Sequence, residues 1–94
     1  MNELQELQDF LKALASETRQ NILFLFASGQ ELTVGEVAEK ASIGQSTASE
    51  NLSTLKRAGL LQSRREGKTV FYTPNQVRMM ALVDELKAYL TSCC

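Results

Sequence analysis

The segment Gly44–Leu61 constrains the fold of this chain more than any other. Ala48, Leu52 and Leu55 recur at i, i+4 and i+7, which defines one apolar stripe on a helix. Projected at about 100° per residue, Ser46, Ser49, Glu50, Ser53 and Arg57 fall opposite that stripe, and Gln45 occupies the exposed first turn. An ordinary solvated helix face favours Lys, Glu and Ala, which form helices better than Ser and Thr. A slim face rich in short hydrogen-bonding groups is instead suited to entering a groove.

What precedes this helix gives it a partner. Thr33-Val34-Gly35-Glu36 has the spacing of a capping box, and Val37, Ala38 and Ala41 form the inner side of a short helix. Ser42-Ile43-Gly44 is a three-residue turn, after which the polar helix begins. Two short helices joined by a tight Gly-containing turn are a helix-turn-helix pattern. Gly59 closes the second helix as a left-handed cap, and Leu60-Leu61 return to the core. Two strand-like runs, Leu61–Arg65 and Lys68–Thr73, flank Glu66-Gly67, where glycine supplies the positive φ of a tight hairpin. The hairpin carries Arg64, Arg65 and Lys68. Charged tips keep many hairpins soluble, but cations directly after a helix-turn-helix point to a wing that grips phosphates.

Helices are expected at both ends. Leu4, Leu7, Leu11 and Leu14, with Phe10, alternate at helical spacing with Glu3, Glu6, Asp9 and Lys12. Ser16 is placed to cap a second helix running through Ile22–Phe26 to Gly29. Its Arg19 could anchor a phosphate or an acidic neighbour. Thr73-Pro74-Asn75-Gln76 forms a second capping-box pattern with Pro74 at the first helical position. The last helix then has an apolar arc too wide to bury on one side, including Val77, Met79, Met80, Val83, Leu86, Tyr89 and Leu90. The fold expected is mainly α with a small β-hairpin, a winged helix-turn-helix of about five helices plus a two-stranded wing. Residues 1–94 form one domain in this reading, paired as a two-fold homodimer through Leu4, Leu7, Leu11, Met79, Met80, Val83, Leu86 and Leu90.

Charge points the same way once its distribution is considered. The net charge of -1 argues weakly against nucleic acid. Between Ser42 and Thr73, however, five cations stand against two acids, and elsewhere five cations stand against nine acids. The polar helix lies in the basic half. No 18-residue apolar run or signal peptide is visible, so a soluble, cytoplasmic protein without membrane contact is expected. The adjacent Cys93 and Cys94 cannot build a disulfide framework and fit a reducing compartment.

Leu11–Arg19, Leu32–Ala38, Gln45–Leu61 and Arg65–Tyr72 together resemble the ArsR/SmtB family of bacterial winged helix-turn-helix repressors. The resemblance covers roughly residues 4–90. It implies a dimer that binds a palindromic DNA operator and releases it when an effector binds. The chain also departs from the family pattern. Metal-sensing members carry cysteines in the segment equivalent to Glu31–Glu36, where this chain has none, and it has no His for the zinc site of the last helix. No metal or cofactor is therefore expected. Family members often place His where Glu50 or Asn51 stands here, and Glu prefers the amino group of cytosine.

The sequence thus predicts a DNA-binding regulator in which Gln45, Ser46, Ser49, Glu50 and Ser53 read base edges. Thr47, Arg57, Arg64, Arg65 and Lys68 are the expected backbone contacts. Cys93 and Cys94 are candidates for a thiol sensor of redox change or of a metalloid, with a tail of no sensing duty as the plain alternative. A small inducer is compatible with the family pattern. A winged-helix module that binds protein through the same surface is the competing function, which the segregated basic charge disfavours. An enzyme is not expected, because the vicinal cysteines lack Cys-x-x-Cys spacing and neither a His base nor a Gly-rich phosphate loop is present.

Overall fold

The computed structural model describes residues 3–92, so Cys93 and Cys94 lie outside the described residues. In chain order the elements are α1 (Glu3–Leu14), α2 (Glu17–Phe24), β1 (Leu32–Thr33), α3 (Val34–Ala41), α4 (Gln45–Arg57), β2 (Leu61–Glu66), β3 (Thr69–Pro74) and α5 (Gln76–Ser92). The three strands form an antiparallel sheet in the order β1-β3-β2. The two-stranded wing β2–β3 is thus extended into a three-stranded sheet by β1. The extra strand is two residues long, and its Thr33 pairs with Phe71 while also capping α3.

The apolar stripe of α4 is wholly inside, with Ala48, Leu52 and Leu55 each at 0% exposure. They pack in one cluster with Ile22 and Phe26, Val37 of α3, Leu60 and Leu61 at the start of the wing, and Leu82 of α5. Both ends of the α3–α4 unit are set by local chemistry. The Thr33 hydroxyl accepts from the Glu36 N–H at 3.2 Å, and the Glu36 carboxylate accepts from the Thr33 N–H at 2.8 Å, which completes the capping box. At the other end, Gly59 has φ +91, with Leu60 N–H donating to the Leu55 carbonyl and Gly59 N–H to that of Lys56. These 6→1 and 5→2 bonds are a Schellman closure, and Leu60 and Leu55 are buried beneath it.

Several expected boundaries move. The α-helical part of α2 ends at Phe24, and the chain reaches Gly29 through turns whose N–H groups bond three residues back, Phe26 to Leu23, Ala27 to Phe24 and Gly29 to Phe26. This tightening satisfies carbonyls at the helix end. It also leaves Phe24 at 68% exposure, so the Ile22–Phe26 run is not core throughout. The hairpin loop is Gly67-Lys68 rather than Glu66-Gly67, because Glu66 pairs with Thr69. Gly67, at φ +63, takes the first loop position, and Lys68 keeps a negative φ, as in a type II′ turn. Pro74 ends β3 opposite Leu61 instead of opening α5, and the α5 cap is Asn75, whose Oδ1 accepts from the Arg78 N–H at 3.2 Å.

Candidate nucleic-acid interface

The outer side of α4 presents Gln45, Ser46, Thr47, Ser49 and Glu50 to solvent, with Ser53 half-buried and Arg57 exposed. Ser49, Glu50, Ser53, Thr54 and Arg57 line a shallow depression of about 320 Å³ along this side. The first turn holds no acidic residue, and its N-cap is Gly44, without a side-chain bond. Its backbone N–H groups therefore remain available at the positive end of the helix dipole. Asn51 faces away from this side. Its amide donates to the Thr47 carbonyl at 2.9 Å, and its Oδ1 accepts from Arg19 at 3.3 Å.

Arg19 meets no acidic neighbour among the described residues. Its Nε donates to the Ala13 carbonyl at 2.9 Å and its terminal nitrogens to the Lys12 carbonyl at 3.2 Å and to Asn51. One guanidinium thus satisfies carbonyls at the end of α1 and connects α1, α2 and α4. Gln20 completes that end by donating to the Leu14 carbonyl at 2.6 Å.

The three wing cations separate into two kinds. Arg64 is bound to Glu31 through Nε at 2.8 Å and through a terminal nitrogen at 2.7 Å, a fork that matches the carboxylate. It also pairs with Glu66, and its guanidinium lies 4.4 Å from the centroid of the Phe71 ring. The hydrogen bonds from Arg64 hold the Glu31 carboxyl below its ordinary range, and the two carboxylates raise the Arg64 guanidinium. Arg65 and Lys68 are exposed and make no ion pair among the described residues. The Glu31–Arg64 pair is 33 residues apart, and no local spacing in the sequence signals it.

The two terminal helices leave apolar side chains outside. Leu4, Leu11, Met80, Val83 and Leu90 are exposed, and Met79 and Leu86 are partly buried against the core. Leu7, at 3% exposure, belongs to the interior of the protomer together with Phe10 and Ala13. Leu7 is therefore a core residue and not, as expected from sequence, part of an exposed intersubunit surface. Among the described residues, no helix is long and apolar enough to cross a membrane, and no group of three or more His, Cys, Asp or Glu could hold a metal.

A grooved, polar second helix followed by a basic hairpin is the architecture of a winged helix-turn-helix domain that binds DNA. The helix-turn-helix domain family matches residues 14–64, from the end of α1 into β2. The chain is 40% identical over 76 residues to the transcriptional activator HlyU of Vibrio cholerae serotype O1, a match covering 81% of this chain and 69% of that protein. It is 36% identical over 83 residues to the biofilm growth-associated repressor of Agrobacterium fabrum, covering 88% of this chain and 70% of the repressor. Among solved structures, it is similar to the homodimeric winged helix-turn-helix DNA-binding domain of a possible ArsR-family regulator from Mycobacterium bovis. That likeness has a TM-score of 0.73 at 35% identity and covers 92% of this chain and 82% of the other. The chain belongs to the ArsR/SmtB family of winged helix-turn-helix transcriptional regulators, which are DNA-binding proteins and not enzymes.

Proposed function

We propose that residues 1–94 act as one cytoplasmic domain, a homodimeric repressor that reads a palindromic operator. The observation that carries this reading is the exposed row of Gln45, Ser46, Ser49 and Glu50 on a helix whose apolar side is fully buried. In this reading α4 enters the major groove, and those side chains, with Ser53, meet base edges. Thr47, Arg57 and the free N–H groups of the first turn contact phosphates. Arg65 and Lys68 grip the flanking backbone, whereas Arg64, already paired with two carboxylates, holds the wing in place. Glu50 brings negative charge toward phosphates, so α4 contributes discrimination more than affinity.

Dimerisation is supported by the exposed Leu4, Leu11, Met80, Val83 and Leu90 and by the homodimeric state of the similar Mycobacterium bovis domain. Repression follows from occupancy of the operator. One similar protein is named an activator and another a repressor, so the position of the site relative to the promoter decides the sign. Cys93 and Cys94 are proposed as a thiol response that weakens binding on oxidation or metalloid capture.

Selection of bound DNA from a random pool, with and without reductant and arsenite, tests these points together. The expected product is an inverted repeat with half-sites about 10 base pairs apart, or a multiple of that. Recovery of unrelated sequences with an affinity indifferent to salt would instead support a protein-interaction module. Unchanged release by arsenite or oxidant after Cys93→Ser with Cys94→Ser would remove the thiol response.

A further inference from the structure

Folding moves two cations out of the acidic part of the sequence and sets them beside the reading helix. Lys12 of α1 and Arg19 of α2 line one cleft of about 500 Å³ with Thr54 and Arg57 of α4, and Asp9 is the only acid in its lining. None of the three cations makes an ion pair among the described residues. Asp9 accepts from Gln5 at 3.0 Å, and the Arg57 side chain reaches only the Thr54 hydroxyl, at 3.4 Å. Arg19 is fixed by two carbonyls and Asn51, which neutralise none of its charge and leave two of its five N–H donors unused. The cleft therefore combines one rigid cation and two exposed ones, with an excess of two positive charges, while the Thr54 hydroxyl in its lining donates to the Glu50 carbonyl at 3.0 Å.

Its position identifies the ligand. Thr54 and Arg57 also line the depression formed with Ser49, Glu50 and Ser53, so the cleft continues directly from the proposed base-reading side of α4. We propose that this cleft is a further DNA-backbone site, in which Lys12 and Arg57 contact a phosphate that neither the reading helix alone nor the wing reaches. The proposal rests on the operator-binding reading above. It extends the footprint onto α1, which lies outside the helix-turn-helix unit. Arg19 positions the cleft, and the Lys12 side chain makes no hydrogen bond or ion pair among the described residues.

The test is equilibrium binding of the full chain to the selected operator across a salt series. Each phosphate contact contributes about 0.9 to the slope of log K against log salt. Lys12→Gln should therefore reduce the affinity loss between about 50 and about 200 mM salt by about 3.5-fold for each contact removed. Asp9→Asn should strengthen binding. A single methylphosphonate placed along the operator should, at one position per half-site, abolish the difference between wild type and Lys12→Gln. An unchanged slope in Lys12→Gln overturns the proposal. So does a Lys12→Gln deficit that persists at every methylphosphonate position, since that would be the action of a distant field. Failure of wild type to show any salt-dependent operator binding would refute the operator reading itself, which separates the two failures.

Discussion

Gly59 joins the end of the reading helix to the start of the wing, and alanine there should cost far more than alanine at Gly29. Both glycines sit in the left-handed region, at φ +91 and φ +79. An L side chain in that region costs about 1–2 kcal/mol, partly offset by the lower entropy of an unfolded alanine, roughly 0.4–1 kcal/mol. Gly29→Ala meets nothing within 4 Å and should lose about 1 kcal/mol on that basis. A Cβ at Gly59 would lie 2.9 Å from Arg78 Cγ and 3.4 Å from Leu82 Cδ1. Carbon atoms rest at about 3.5–4.0 Å. Leu82 is fully buried, and Arg78 is held by Glu6 at 2.7 Å and by the Asn75 cap on its N–H, so neither yields freely. Overpacking of this kind adds about 1–3 kcal/mol, for a total of about 2–4 kcal/mol at Gly59. Urea unfolding at matched protein concentration measures both variants. In an Arg78→Ala background the 2.9 Å contact is removed while Leu82 stays at 3.4 Å, and the Gly59→Ala cost should fall most of the way to that of Gly29→Ala. Equal losses at the two glycines in the wild-type background would refute the packing argument.

Three further outcomes follow from the same geometry. Arg64→Gln should weaken operator binding without changing the salt slope, whereas Arg65→Gln and Lys68→Gln should each lower it by about 0.9; a fall at Arg64 would make that residue a phosphate contact. Glu31 has its carboxyl pKa depressed by Arg64, so its contribution to wing order is present above the ordinary 4.5 and is lost as pH falls through the lowered folded value. Carboxyl NMR should therefore show Glu31 titrating below 4.5, and a midpoint at or above it would contradict the fork observed with Arg64. Ser42 closes α3 at φ +56, and Ser42→Gly should relieve that conformation and stabilise the fold by about 0.5–1 kcal/mol. A lower denaturation midpoint in Ser42→Gly would show that the serine side chain contributes more than its backbone strain costs.

The features readable from sequence are those fixed within a few residues. The Thr33–Glu36 box, the Ala48–Leu52–Leu55 stripe and the Gly59 closure each span at most eight positions, and each holds in the structure. The start of α5 was not readable in the same way. Thr73 and Asn75 both suit an N-cap, and the choice follows from Pro74 pairing with Leu61, a contact from across the hairpin. The hairpin loop shifts by one residue for a similar reason, since glycine serves either loop position and the strand register decides between them. Strand β1 is too short for any periodicity to show.

The same division governs the interface and changes where attraction to DNA should lie. Helical spacing alone identifies which α4 residues face outward, because burial of three positions orients the rest. The state of each cation depends on partners distant in sequence. Arg64 loses most of its reach to Glu31 and Glu66, leaving the wing with Arg65 and Lys68, while Lys12 and Arg19 join Arg57 beside α4. Counting charges by segment places three cations on the wing and leaves Lys12 and Arg19 in the acidic remainder of the chain. The folded arrangement instead divides the available positive charge between the wing and the cleft lined by α1, α2 and α4. An operator contact pattern with protected phosphates on only the wing side of each half-site would be incompatible with that division.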